Sequence, residues 1–208
     1  MPIRASPAPR LATSSSSGRQ ATIRLHLGRK ASGKSFRAKR DVELERGRPV
    51  SVWDPRYEWA GPRAADAPRR PRAVVYDPRA FLAAAARGAP IPEVVVWQGG
   101  TFSLFAAWAR RRGGLVVIDE AQLVGGRAGQ APGFLELVTT CRHTGASLLL
   151  CAQRAATLDP NLRAQVDEVR AWRTTEPRDV AWLAEAYGSD FADSLATLSG
   201  HEYREWRG

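Results

Sequence analysis

The chain has 208 residues, 44% of them hydrophobic, and its 31 Lys and Arg against 21 Asp and Glu give a formal net charge of +10. That length suffices for one α/β domain with a sizeable core. Two cysteines exclude a disulfide framework, no run of eighteen apolar residues offers a membrane-spanning helix, and no secretory signal follows Arg4 and Arg10. The charge points to a polyanionic partner, nucleic acid first and an anionic membrane surface second. A GC-rich coding sequence, which raises Arg, Ala, Gly and Pro together, gives the same composition.

Residues 1–20 are rich in Pro, Ser and Ala, carry Arg4, Arg10 and Arg19 and have no acid. They are expected to form a flexible basic tail ahead of one domain over residues 21–208. From residue 21, short apolar runs alternate with helical segments, the pattern of a mostly parallel α/β sheet flanked by helices. A strand is expected over 21–27, then a glycine-bearing loop, then a helix from Lys34 to about Glu45. Further strands are expected at 49–53 and near 73–76, each followed by Asp-Pro, with a helix over 81–87. The stretch 56–72, with five arginines and three prolines, reads as an exposed connection. A strand over 92–97 stops at Gly99-Gly100, and an amphipathic helix over 101–112 starts at the N-cap candidate Thr101. Residues 115–118 are a buried strand by their unbroken apolar character. Residues 122–133 hold four glycines and read as a loop whose Arg127 faces either DNA or solvent. A helix over 134–143 leads to a second buried strand over 146–151, and 166–172 is expected to be the last core strand before helices at about 177–187 and 190–198. Cys141 and Cys151 fit small buried positions near a strand, with a reducing intracellular setting.

The loop after the first strand reads Gly28-Arg29-Lys30-Ala31-Ser32-Gly33-Lys34-Ser35, the form G-x-x-x-x-G-K-[ST] of a phosphate-binding loop. From the chain's own composition this pattern arises by chance roughly a few times per thousand chains of this length. Its glycines let backbone N–H groups and a helix N-terminus point at an anion. Lys34 is placed to reach the β- and γ-phosphates of ATP, and Ser35 to sit on Mg²⁺. The chain has only three lysines, and its other 28 basic residues are arginine. Keeping Lys34 in such a background selects a compact point charge over a planar guanidinium.

Asp119 and Glu120 directly follow the strand 115–118. A carboxylate there can hold Mg²⁺ (Asp119), and the next can orient or deprotonate an attacking water (Glu120). Both lie at the carboxyl end of a parallel strand, where open α/β sheets bind ligands. Gln153, just past 148–151, can reach a γ-phosphate from a neighbouring strand. Arg110, Arg111 and Arg112 close a helix, where cations suit its dipole.

The order of GRKASGKS, VSVWDP, LVVIDEAQ, CRHTGASLLLCAQR and LRAQVDEVRAWRTTEPRD over residues 21–185 resembles the FtsK/HerA class of P-loop ATPases. Within that class it is most similar to the genome-packaging ATPases of membrane-containing icosahedral double-stranded DNA viruses. The more specific elements are the Arg142-His143-x-Gly145 turn and the strand that ends in Gln153-Arg154; Ala155 stands where the family usually has Pro. The resemblance implies a RecA/ASCE-like fold in a single domain, ATP and Mg²⁺ as cofactors, a homo-hexameric ring, and double-stranded DNA as partner, with a capsid vertex or membrane protein as a further one. It also implies the cytoplasm of an infected cell or the virion as location. Arg142 corresponds to an arginine finger that completes a neighbour's site; a local acid is its alternative partner. His143 reads as structural. Two other functions are compatible with the residues: a filamentous-phage assembly ATPase of the zonula-occludens-toxin type, which needs a membrane span, and a basic DNA-binding accessory protein with a regulatory nucleotide site.

Overall fold

The computed structural model describes residues 20–60 and 72–208. The basic tail, apart from Gln20, and residues 61–71 of the arginine-rich connection lie outside the described residues.

In chain order the elements are β1 (Ile23–Leu27), α1 (Lys34–Leu44), β2 (Val50–Trp53), β3 (Arg72–Val75), α2 (Pro78–Ala86), β4 (Val94–Trp97), α3 (Phe102–Arg112) and β5 (Gly114–Ile118). They continue with β6 (Gly125–Gly126), β7 (Gly129–Gln130), α4 (Phe134–Thr140), β8 (Ala146–Ala152), α5 (Pro160–Arg163), β9 (Glu168–Trp172), α6 (Pro177–Tyr187), α7 (Ser189–Ser194) and β10 (Tyr203–Arg207). Among the described residues, eight strands form one sheet in the order β10-β9-β1-β8-β5-β2-β4-β3. All its pairings are parallel except β9 with β10.

The central strands β5 and β8 are almost wholly apolar because both faces are covered. Alternation sends Leu148 and Leu150 to one face and Leu149 and Cys151 to the other. On one face Ala38 and Val42 of α1 share a cluster with Val50, Val52, Val94, Val96, Leu115 and Val117. On the other, Ile23, Leu25, Val116 and Ile118 share a cluster with Phe105 and Ala109 of α3, Leu137 of α4 and Leu183 of α6. Both cysteines are buried free thiols.

Strand β9 is the last core strand, but the sheet runs one strand further: β10, without a buried residue, returns antiparallel along it, with Tyr203 opposite Trp172. Three expectations need correction. The glycine-rich loop contains a small hairpin, β6 with β7, that carries exposed Arg127 at its tip while Gly125 and Gly126 are buried. The helix expected over 134–143 stops at Thr140, and residues 141–145 form a turn ending at Gly145 with φ 68°. The described start of the supposed exposed connection is partly core, since Trp59 is fully buried. Asp54 makes it so, accepting the N–H groups of Glu58 (2.9 Å) and Trp59 (3.0 Å) and folding the chain back after β2.

Thr101 is the N-cap of α3, but its side chain makes no capping bond and meets Ser103 Oγ at 3.0 Å instead. Two of the three arginines that end α3 have separate tasks. Arg110 pairs with Glu136. Arg112 donates to the backbone oxygens of Val50 (3.0 Å), Pro92 and Glu93 (3.0 Å), and burial lowers its guanidinium to about 10, still charged at neutral pH.

Candidate functional site

Register brings the site together. Leu27 of β1 is level with Ala152 of β8, and Ile118 of β5 with Leu150 of β8. The next residues, Gly28, Gln153 and Asp119, therefore emerge at the same edge of the sheet from three adjacent strands about 4.8 Å apart. Strand β8 stands between the phosphate loop and the acidic pair, so Gln153 lies between them.

The loop is tied down at its first residue, where Gly28 N donates to Ala152 O at 3.2 Å. A side chain at Gly28 would collide with Ser32 Oγ, 2.4 Å from an added Cβ, and approach Trp172. Ala31 and Gly33 adopt φ of 64° and 99°, in the left-handed region. Gly33 takes this conformation without penalty, whereas Ala31 bears a cost of about 1–2 kcal/mol. Such strain is a mark of functional loops held by their surroundings. Gly28 and Ser32 are buried, Arg29, Lys30 and Ala31 are exposed, and Gly33 and Ser35 are half-buried. The Ser32 hydroxyl is buried and makes no hydrogen bond among the described residues. Helix α1 starts at Lys34, so the loop leads directly into a helix N-terminus.

Lys34 is 6% exposed, and its Nζ lies 3.9 Å from Glu120 Oε1. Glu120, itself buried, stands in the left-handed region with φ 54°. Its carboxylate accepts the side-chain amide of Gln153, whose Nε2 is 2.9 Å from both oxygens, and that of Gln122. Asp119 accepts the Trp59 indole N–H at 2.9 Å and the Glu120 backbone N–H at 3.1 Å. Burial pushes the Asp119 carboxyl up to about 6, while the Trp59 hydrogen bond and the Lys34 charge pull it down. A divalent cation beside this carboxylate would oppose the effect of burial. Among the described residues no group of three or more His, Cys, Asp or Glu could cage a metal. A hydroxyl at Ser35 and a carboxylate at Asp119 make the hard-oxygen pair that suits Mg²⁺ held jointly with phosphates.

Arg142 is elsewhere. It sits in the turn before β8, exposed, and donates to Asp167 Oδ1 at 2.7 Å and Gln165 O at 3.1 Å. Asp167 in turn accepts Ile23 N at 2.7 Å, at the amino end of β1. Arg142 therefore lies a strand's length, about 16 Å, from the phosphate loop of its own chain. The local-acid pairing is the one this chain adopts. His143 is exposed in the same turn.

Sequence reasoning missed Trp59, Gln122, Trp172 and His201. Gln122 had a readable signal, since a polar residue two places after Glu120 can turn back to it. The others come to the site through long-range folding: Trp59 from beyond β2, Trp172 from the end of β9, and His201 through a contact between its Nδ1 and Ser32 O at 3.1 Å.

No protein-family model matches the chain, and no curated protein matches its sequence. Solved structures do match its fold. The genome packaging NTPase B204 from Sulfolobus turreted icosahedral virus 2, in complex with AMPPCP, is 20% identical with a TM-score of 0.73, over 91% of this chain and 93% of that one. B204 described as the DNA-packaging ATPase of Sulfolobus turreted icosahedral virus matches at 20% identity and TM-score 0.66, over 91% and 94%. VirB4 of Thermoanaerobacter pseudethanolicus matches more distantly, at 13% identity and TM-score 0.56, over 89% and 88%. The chain thus has, along nearly its whole length, the mostly parallel P-loop NTPase fold of these proteins.

Proposed function

We propose that the chain is an ATP-hydrolysing motor that translocates double-stranded DNA, and that its task is packaging a viral genome into a preformed capsid. One observation carries the reading: the phosphate loop, Asp119-Glu120 and Gln153 meet at adjoining strand ends on a sheet that shares its fold with B204.

In this reading the backbone N–H groups of 28–35 cradle the phosphates, and the orphaned Ser32 hydroxyl gains a partner there. Lys34 moves its charge from Glu120 to the β- and γ-phosphates. Ser35 and Asp119 would hold Mg²⁺, which would neutralise phosphate charge there. Gln153 releases Glu120 to meet the γ-phosphate. Glu120 is then free to orient a water and accept its proton as the water attacks the γ-phosphorus and ADP leaves. Arg142, too far from its own loop, leaves Asp167 to reach a neighbour's site in a homo-hexameric ring. The excess of 10 positive charges supports DNA as the track. The basic tail 1–20 precedes an ATPase domain over 21–208, and the protein works in the cytoplasm of an infected cell or on the virion, at a capsid vertex or beside a membrane partner. Among the described residues no helix is long and apolar enough to cross a membrane.

The test is ATP turnover by the purified chain with and without double-stranded DNA. Turnover is expected in the native chain and its loss in Lys34→Ala and Glu120→Gln. No turnover with DNA present, or variants that turn over normally, would overturn the reading. DNA binding should weaken steeply with salt and show little base preference, because a translocating motor must hold the backbone of any sequence.

A further inference from the structure

The phosphate loop is not held by its own strand and helix alone. After β9 the chain leaves through α6 and α7, then returns in a turn over residues 199–202 that rests on the loop. There His201 Nδ1 lies 3.1 Å from the Ser32 carbonyl oxygen, 169 positions away in sequence. An added Cβ at Gly33 would stand 3.2 Å from the same nitrogen, so the ring packs directly on this part of the loop. A carbonyl only accepts, so Nδ1 carries the proton in this contact.

The peptide plane gives the contact its consequence. In a trans peptide, C=O and the following N–H point in opposite directions. Fixing the Ser32 carbonyl on His201 therefore fixes the Gly33 N–H pointing away from His201, and the positive φ of Gly33, 99°, turns the chain from that peptide into α1. A phosphate cradle needs such N–H groups aimed before the anion arrives, because donors that must reorient on binding forfeit affinity.

His201 is itself braced. Trp172, 2% exposed at the end of β9, donates its indole N–H to His201 O at 3.1 Å. The same Trp172 lies against Gly28, its Cβ 3.1 Å from where a Cβ on Gly28 would stand. The turn is closed by Glu202, which accepts Ser199 N at 2.9 Å and Ser199 Oγ at 3.2 Å, while its own N donates to Ser199 O at 3.0 Å. One tryptophan thus touches the start of the loop and, through His201, its end.

We propose that His201 is a positioning residue for the phosphate loop, holding the Ser32–Gly33 peptide so that the Gly33 N–H serves as an anion donor. The proposal rests on reading that loop as the nucleotide site. The test uses the full chain with two substitutions: His201→Phe, which keeps a ring without the donor, and His201→Asn, which returns an amide N–H near the place of Nδ1. ATPγS binding with Mg²⁺ is measured by calorimetry, with thermal melting and steady-state ATP turnover on the same preparations. Native protein is expected to bind. His201→Phe should weaken binding about tenfold, and His201→Asn should restore it to within about threefold. In turnover the Phe variant should raise KM more than it lowers kcat, as expected for a contact made alike in ground and transition states. Native-like affinity in folded His201→Phe overturns the proposal. So does a tenfold loss in folded His201→Asn, which remains decisive if the Phe variant fails to fold. Native protein that binds no ATPγS overturns the reading of the loop and this proposal together, whereas native binding with an unaffected Phe variant removes only the proposal.

Discussion

Strand β1 and the loop that follows it treat polar groups differently. Along the strand most charged groups close on one another. Asp167 binds both Ile23 N and Arg142. Asp41, 4% exposed on α1, gathers Arg24, Arg37, Arg170 and His26. Arg24 also holds Glu168, and Arg170 holds Glu205. A cleft of about 380 Å³ opens here, but these partners already occupy its cations. Burial holds His26 below its ordinary value, so it stays neutral beside them. The loop and the acidic pair beyond the strand ends differ: a buried hydroxyl without a partner, backbone in the left-handed region, and a carboxyl raised by burial meet there. Paired charge along the strand acts as a brace, whereas backbone strain and a carboxyl raised by burial are features that concentrate at functional sites.

Substitutions in the two regions should break this contrast in different measurements. The largest effect is expected from Arg142→Ala, which should lower turnover of the assembled protein by about 10³-fold or more while leaving nucleotide affinity of the single chain unchanged. If turnover is unchanged, Arg142 belongs wholly to the brace. Glu120→Gln should slow hydrolysis about 10²–10⁴-fold with binding retained, as read by turnover against ATPγS affinity. Asp41→Ala should act on folding alone. It leaves Arg24 and Arg170 with one acid each, Glu168 and Glu205, and should cost about 3 kcal/mol in urea unfolding, with little change in nucleotide affinity after allowance for the unfolded fraction.

The smallest effect concerns pH. Because Asp119 titrates at about 6 in the folded chain against an ordinary 3.8, its protonated form favours the fold. That contribution is full below pH 4 and fades as pH rises through 6. Mg²⁺ needs the ionised form, so the rise in melting temperature produced by Mg²⁺ with ATPγS should be smaller at pH 5 than at pH 7.5. An equal rise at both values would remove Asp119 from the metal site.

What could be read from the sequence follows from the same physics. Strands β5 and β8 announce themselves because burial on both faces demands nearly continuous apolar runs, whereas β1 alternates apolar residues with Arg24 and His26; Gly28, Asp119 and Gln153 stand where the three strands stop. Strand β10 gave no such signal. Three of its five residues, Arg204, Glu205 and Arg207, are charged, since an edge strand owes its pairing to backbone hydrogen bonds with β9 rather than to burial. Trp59 was hidden among arginines and prolines, and its place is set by Asp54 and Asp119, neither of which marks it in the linear chain. His201 is one of three histidines, and no local pattern ties it to a loop 169 positions earlier. The residues that carry the proposed chemistry were legible by spacing; those that hold them in place were not.

Strand β8 has a mechanical consequence. All seven of its residues are buried, and it is hydrogen-bonded along both edges, to β1 and to β5. It begins beside the turn of Arg142 and ends at Gln153, a span of about 23 Å. A rod so confined cannot bow or slip its register without breaking two ladders at once. In the proposed motor, this strand would be the stiff link between the residue that meets the phosphate and the turn that carries Arg142.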